Sequence, residues 1–211
     1  MTVTWDRVAE PWRICFEQAW EARIAGSPPI GAVLANADGR VIARGRNRIA
    51  EARALAPLSG SRLGHAEIET LLAYAGQTDP PAQCTLYTSM EPCPMCLGAI
   101  RIHRLGRVRF AARDPVAGSS RLVYATSFMR FGNLNVSGPE NAWLEMLMLG
   151  LLAEYGLGHE PGWFELADAW GPELAAALAF GRRLHDDDSV NQLAGSGTSA
   201  QDAYGRLCEL R

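Results

Sequence analysis

One histidine and two cysteines, far apart in the chain, set the strongest constraint on what this sequence can fold into. The first element is His65-Ala66-Glu67, and the second is Glu91-Pro92-Cys93-Pro94-Met95-Cys96. One imidazole and two thiolates are the donor set that a catalytic zinc takes when its fourth position is kept for water. A fold that uses them must bring two distant segments to within a bond length of a single ion. Cys93 and Cys96 at helical spacing put both sulfurs on one side of a first helical turn, where the backbone N–H groups and the helix dipole stabilise thiolates. Glu67, two residues after the histidine, can then reach the site without being a ligand.

Composition narrows the chemistry. The 211 residues contain 20 Arg and no Lys. The chain therefore has no lysine for a Schiff base, for a phosphate-binding P-loop or for a protein kinase. Five cysteines, two of them in a C-x-x-C, point to metal or redox chemistry rather than a disulfide framework. The longest apolar run, from Trp143 to Ala153, is interrupted by Glu145 and falls short of the roughly 20 residues of a membrane span. Asp6, Arg7 and Glu10 break the N-terminus before a secretory signal could form, so the expected location is cytoplasmic.

The net charge of −3 conceals a division. Residues 1–139 hold 16 Arg against 11 acids, whereas residues 140–211 hold 4 Arg against 12 acids. We expect a body over 1–139 and an acidic helical extension over 140–211, packed on the same or a partner subunit.

The apolar pattern predicts an opening helix from Pro11 to about Ala25, closed by Gly26. Ile30 to Ala35 and Val41 to Gly45 read as a hairpin turned at Asp38-Gly39. A loop of Ala, Pro, Ser and Gly from about Ala50 to Gly64 leads to a helix over His65 to Ala75. A strand follows over Cys84 to Ser89, then a helix from Cys93 to about His103 and a strand from Val108 to Ala112. This order predicts a sheet with helices on its faces. Pro139 to Tyr155 reads as an amphipathic helix ending at Gly156. Trp163 to Trp170 and Pro172 to Leu184 are further helix candidates. Asp186 to Asp188 and Gly195 to Ser199 read as solvated linker, followed by a weak last helix.

The pattern H-x-E with P-C-x-x-C is the signature of zinc nucleobase deaminases. In that chemistry Glu67 takes a proton from water, delivers it to a ring nitrogen and later protonates the departing amine. The segment from about Pro29 to Asp114 resembles the cytidine deaminase-like superfamily. The resemblance rests on Leu86 to Ile100, Pro29-Ile30-Gly31-Ala32-Val33 and Gly45-Arg46-Asn47-Arg48, which are similar to bacterial guanine deaminases and to tRNA adenosine deaminases. It implies a three-layer α/β/α fold with a mixed five-stranded sheet, here carrying a helical C-terminal extension. It also implies a metal site of His65, Cys93 and Cys96, with Glu67 catalytic. Asn47 would hydrogen-bond the base, the backbone at Ala66 and Glu91 would meet its amide and amino edges, and Ile30 would line the ring pocket. Association of such proteins through the zinc-helix face implies a homodimer.

Two features depart from the pattern. Ser61-Arg62-Leu63-Gly64 closes a longer approach to the histidine than the two branches use. The region after Asp114 is also longer, although Gly138-Pro139-Glu140-Asn141-Ala142-Trp143 resembles the tail of some guanine-type deaminases, where C-terminal residues close the active site.

Seven Arg lie between Cys93 and Arg130 against one acid, Asp114. Such a stripe could grip an RNA backbone, or it could be covered by the acidic extension. The acidic extension would repel phosphate, which favours a small-molecule substrate over nucleic acid. We therefore expect a zinc-dependent hydrolytic deaminase of a free purine base such as guanine. The runner-up is a tRNA adenosine-to-inosine deaminase, and the non-enzyme reading is an inactive deaminase-like binding module. A purely structural zinc would need a fourth ligand, for which Cys84 and His103 are the candidates.

Overall fold

The computed structural model describes residues 3–159 and 171–210. After a 3-10 turn at Trp5–Arg7, the chain enters helix α1 (Glu10–Ile24), with Pro11 in its first turn. The hairpin β1 (Gly31–Ala35) and β2 (Val41–Arg46) precedes α2 (Ala66–Tyr74), β3 (Thr85–Met90), α3 (Pro94–Ile102) and β4 (Arg107–Ala112). Beyond these lie a 3-10 segment at Ser120–Tyr124, the short α4 (Ser127–Arg130) and a fifth strand β5 (Asn135–Ser137). The extension contributes α5 (Ala142–His159), α6 (Ala175–Asp186), α7 (Ser189–Gly195) and α8 (Ala200–Glu209).

The strands form one mixed sheet in the order β2-β1-β3-β4-β5. β1 is antiparallel to both β2 and β3, while β3, β4 and β5 run parallel. Period-two alternation divides the strand side chains between two apolar cores. Ala32, Leu34, Leu86 and Val108 face α2 and α3. Val33, Met90 and Ala111 face α1 and the extension. Both faces are covered along β1 and β3, which therefore read as short continuous apolar runs, whereas Arg44 of β2 and Arg107 and Arg109 of β4 are exposed.

Two glycines set the depth at which the helices sit. A side chain at Gly31 would come within 2.2 Å of Cys15 O in α1. One at Gly45 would come within 2.5 Å of Thr70 N and 2.7 Å of Ala66 O in α2. Because β2 is bare at this point, the N-terminus of α2 lies directly against the sheet.

The extension shares one apolar core with the body. Trp143, Leu147 and Leu151 of α5, Phe180 of α6 and Tyr204 of α8 are buried together with Trp12, Phe16 and Trp20 of α1. Trp143 Nε1 donates to Tyr204 Oη at 2.7 Å, and Tyr204 Oη donates to Val3 O at 2.7 Å. Inside this interface Arg23 forms a bidentate pair with Glu154, at 2.8 and 3.0 Å, and also reaches Asn191 Oδ1 at 2.7 Å.

Several local expectations are corrected. Helix α5 is buried on nearly all sides rather than amphipathic, and it runs through Gly156 to His159, because α6 covers the face a solvated stripe would occupy. Asp186 ends α6, and Asp188, at φ 53°, turns the chain directly into α7, so this acidic stretch is a helix junction. Ser199 belongs to a cap, its Oγ accepting the Asp202 N–H at 3.1 Å. The fifth strand carries too short a pattern to read from sequence. The expected helix over Trp163 to Trp170 lies outside the described residues.

The Arg23–Glu154 pair yields a stability prediction, since both side chains are almost fully buried. Glu154→Ala leaves a buried guanidinium without its carboxylate, which should cost about 3–5 kcal/mol in urea unfolding. A loss below about 1 kcal/mol, the value of an exposed pair, would contradict this placement.

Candidate metal centre and active site

The site is built at two helix starts. His65 occupies the N-cap position of α2, and Cys93 the N-cap of α3, with Cys96 in the first turn. The first N–H groups of each helix have no intrahelical acceptor and direct the positive end of the dipole at this corner. β1 and β3 are neighbours in the sheet, and the helices that follow β2 and β3 come together on one face.

The three donors converge. His65 Nδ1 stands 3.7 Å from Cys93 Sγ and 3.5 Å from Cys96 Sγ. All three donor atoms lie within 4.8 Å of one another. Bonds of about 2.3 Å to sulfur and about 2.0–2.1 Å to nitrogen, set at the tetrahedral angle, hold such atoms about 3.6 Å apart. The donor set and its spacing fit zinc.

Charge is shared unequally among these groups. The Cys93 thiol is pushed well below its ordinary value by the hydrogen bond from Cys96 and then by that from His65. Cys96 is pushed up, first because it is the donor in that bond and then by burial. His65 is raised, chiefly by its hydrogen bond to Cys93.

Glu67, in the first turn of α2, is 3% exposed. Thr88 Oγ1 of β3 donates to its Oε1 at 3.2 Å, and Cys96 Sγ lies 3.4 Å from its Oε2. Burial raises its pKa above the usual carboxylate range. A carboxyl held beside the donor set with a raised affinity for protons is equipped to carry one.

Asn47 lies just past β2 and is buried. Its N–H donates to Ile30 O at 2.9 Å, which ties these two residues together, and its Oδ1 accepts the Ile49 N–H at 3.0 Å. The amide therefore caps a turn with its oxygen, leaving its NH₂ group as what it can offer a ligand. Ile30 packs at the margin of both cores. Ala66, fully buried, supplies the first helical N–H of α2. Glu91 donates its N–H to Ala112 O at 2.7 Å, so any backbone contact it makes to a ligand falls to its carbonyl.

The Glu91 carboxylate has a task that the sequence reading missed. Its Oε1 accepts the Ser120 N–H at 2.9 Å and its Oε2 the Asp114 N–H at 3.4 Å. Ser119 Oγ donates to Pro92 O at 2.6 Å. The loop after β4 is thereby stapled to the residues that precede Cys93. With Glu91, Pro94 and Phe110 it walls a cavity of about 660 Å³. Only the order of β3 and β4 in the sheet reveals this proximity.

The candidate fourth ligands are engaged elsewhere. Cys84 Sγ donates to Pro80 O at 3.4 Å, and His103 Nδ1 pairs with Ala99 O at 3.0 Å. Among the described residues, neither joins His65, Cys93 and Cys96 in a metal cluster.

The arginine stripe is partly consumed within the chain. Arg101 is buried, donating to Phe128 O and lying 5.3 Å from the Phe128 ring centroid. Arg109 pairs with Glu140, and Arg113 with Glu145 through contacts of 2.6 and 3.1 Å. No helix among the described residues is long and apolar enough to cross a membrane.

Comparison with known proteins bears on this geometry. Residues 8–112 match the family model of the cytidine and deoxycytidylate deaminase zinc-binding region. The chain is 39% identical over 107 residues to the tRNA-specific adenosine deaminase of Bacillus subtilis, covering 49% of this chain and 61% of that one. It is 40% identical over 97 residues to the guanine deaminase of the same organism, covering 44% and 55%. A solved structure from a study of A-to-I editing by tRNA:A34 deaminases superposes with TM-score 0.50 and 31% identity, covering 60% of this chain and 96% of that one. The chain spans less than two thirds of the length of these two curated relatives.

The donor geometry predicts the outcome of removing a ligand. Cys96→Ser should lower bound zinc from about one equivalent to a small fraction, read by elemental analysis after dialysis. Glu67→Ala should retain it, because Glu67 lies beside the donor set without belonging to it. Zinc lost in both variants would contradict this division of roles.

Proposed function

The chain belongs to the cytidine and deoxycytidylate deaminase zinc-binding family, and from that premise we propose that it is a hydrolytic deaminase of a free purine base such as guanine. The reaction replaces an exocyclic amino group with oxygen from water and releases ammonia. The observation that carries this reading is the buried Glu67 carboxylate, 3.4 Å from the Cys96 sulfur and anchored by Thr88.

His65, Cys93 and Cys96 would hold the ion. Zinc, when bound, supplies a Lewis acid that lowers the pKa of water to about 7. Glu67 accepts a proton from the attacking water and passes it to a ring nitrogen, then takes the remaining proton of the added hydroxyl and gives it to the amine as the carbon–nitrogen bond breaks and ammonia leaves. Its burial gives it a higher affinity for that proton than an exposed carboxylate has. Asn47 donates its amide N–H to the base, Ile30 packs against the ring, and the Ala66 N–H and the Glu91 carbonyl meet the polar edge.

The small-base reading draws its support from charge. Glu140 and Glu145 neutralise Arg109 and Arg113, and Arg101 is packed beneath an aromatic ring, so part of the stripe that would grip phosphates is already satisfied. The acidic extension over 140–211 is thus both a cover for the body over 1–139 and an obstacle to a polyanion. The tRNA adenosine reading stays in play because Arg104, Arg107 and Arg121 are exposed and because of the likeness to the tRNA:A34 deaminase structure. We further propose a cytoplasmic homodimer. An interface beside α3 would cover the exposed rings of Tyr124, Phe128 and Phe131.

The test is ammonia release by zinc-loaded protein on guanine, adenine, cytosine, their nucleosides and a tRNA anticodon stem. Guanine should be turned over, and Glu67→Ala should lower the rate by roughly 10²–10⁴-fold. Turnover of the stem alone would establish the tRNA reading. Silence on every substrate would point to a specialised substrate outside this panel before it pointed to the inactive binding module.

A further inference from the structure

Two arginines flank Asn47, and both close on a single buried carboxylate. Arg46, the last residue of β2, reaches Glu51 Oε1 through Nη1 and Oε2 through Nη2 at 3.3 Å. Arg48 reaches Glu51 Oε2 through Nη1 at 2.7 Å. The Glu51 side chain is only 2% exposed. Arg48 also pairs with Glu69, its Nε 3.3 Å from Oε2, and Glu69 follows Glu67 by two residues on α2. Two guanidinium groups thus balance two carboxylates, with Glu21 at the edge, 3.8 Å from Arg46 Nε.

The backbone repeats the same connections. The Arg48 N–H donates to Gly64 O at 2.8 Å, the Gly60 N–H donates to Arg48 O at 2.9 Å, and the Glu51 N–H donates to Arg48 O at 3.1 Å. Gly64 immediately precedes His65. The end of β2, the long loop over residues 50–64 and the start of α2 therefore meet at residues 46–48. A carboxylate this enclosed is stable only while both arginines face it. Moving either arginine would move Asn47, which lies between them.

We propose that Glu51 is a positioning residue. By clamping Arg46 and Arg48 it fixes Asn47 relative to His65 and Glu67, and so it sets the affinity for the base rather than the rate of proton transfer. The inference rests on the reading of Asn47 as a contact to the base. Glu51 touches neither the donor set nor Glu67, and its influence passes through Asn47.

The experiment compares wild type, Glu51→Gln, Asn47→Ala and the double variant as zinc-loaded full chains. Backbone hydrogen exchange over residues 46–64 should accelerate about tenfold or more in Glu51→Gln, with zinc content unchanged. On the purine that the wild type turns over, KM should rise about tenfold while kcat changes by less than about threefold. The double variant should be no worse than Asn47→Ala alone, since the two residues act as one unit. Unchanged exchange and KM in Glu51→Gln, or additive losses in the double variant, would overturn the proposal. If Glu51→Gln failed to fold, Glu51→Asp, which keeps the charge on a shorter arm, would carry the same comparison. If the wild type turned over no purine, the proposed function would fail, and the exchange data would decide the clamp on their own.

Discussion

Everything in this molecule depends on the convergence of two helix starts at one corner of a mixed sheet. Ligands from α2 and α3 must meet within about 3.6 Å. The sheet order makes that feasible by seating the two helices side by side on one face. Gly45 lets α2 lie against β2 without a side chain between them, and Pro94 starts α3 directly after Cys93. A displacement of either helix by half a turn would carry its ligand out of reach.

The same corner solves an electrostatic problem. Two thiols, an imidazole and a carboxyl are gathered at a corner where Cys96 and Glu67 are buried and His65 and Cys93 half-buried, an arrangement costly for any free charge. Helix N-termini favour thiolates there, and Thr88 supplies Glu67 with a neutral donor rather than a cation. A nearby arginine would hold Glu67 permanently ionised. With the neutral Thr88 hydroxyl as its donor instead, the carboxyl can exchange a proton.

Much of this was legible in the sequence, for physical reasons that differ by element. The metal donors and Glu67 could be read because ligand chemistry permits few residue types and short spacings. β1 and β3 could be read because both of their faces are buried, giving compact apolar runs, whereas β2, with Arg44 exposed, is marked by its alternation after the Asp38-Gly39 turn. β5 could not, since a three-residue edge strand is defined by its partner β4 rather than by its own pattern. The amphipathic reading of α5 failed because the helix is enclosed by its own successor, α6. The Glu91 staple and the Glu51 clamp join segments whose proximity only the fold creates. The charge pattern Arg46, Arg48, Glu51 was visible, yet it reads equally as a solvated loop.

The extension gives the basic body internal counter-charges as well as apolar cover, through Glu140, Glu145 and Glu154. Its union with α1 means that the sheet is sandwiched within a single chain, and the metal corner remains on the opposite face from most of that added mass. The central claim is that three protein ligands leave one coordination position for water. X-ray absorption at the zinc edge of the metal-loaded protein tests it most directly. The account predicts two sulfurs at about 2.3 Å, one imidazole nitrogen at about 2.0–2.1 Å and one exchangeable light atom. A third sulfur or a second imidazole in the shell would mean a closed structural site and would contradict it.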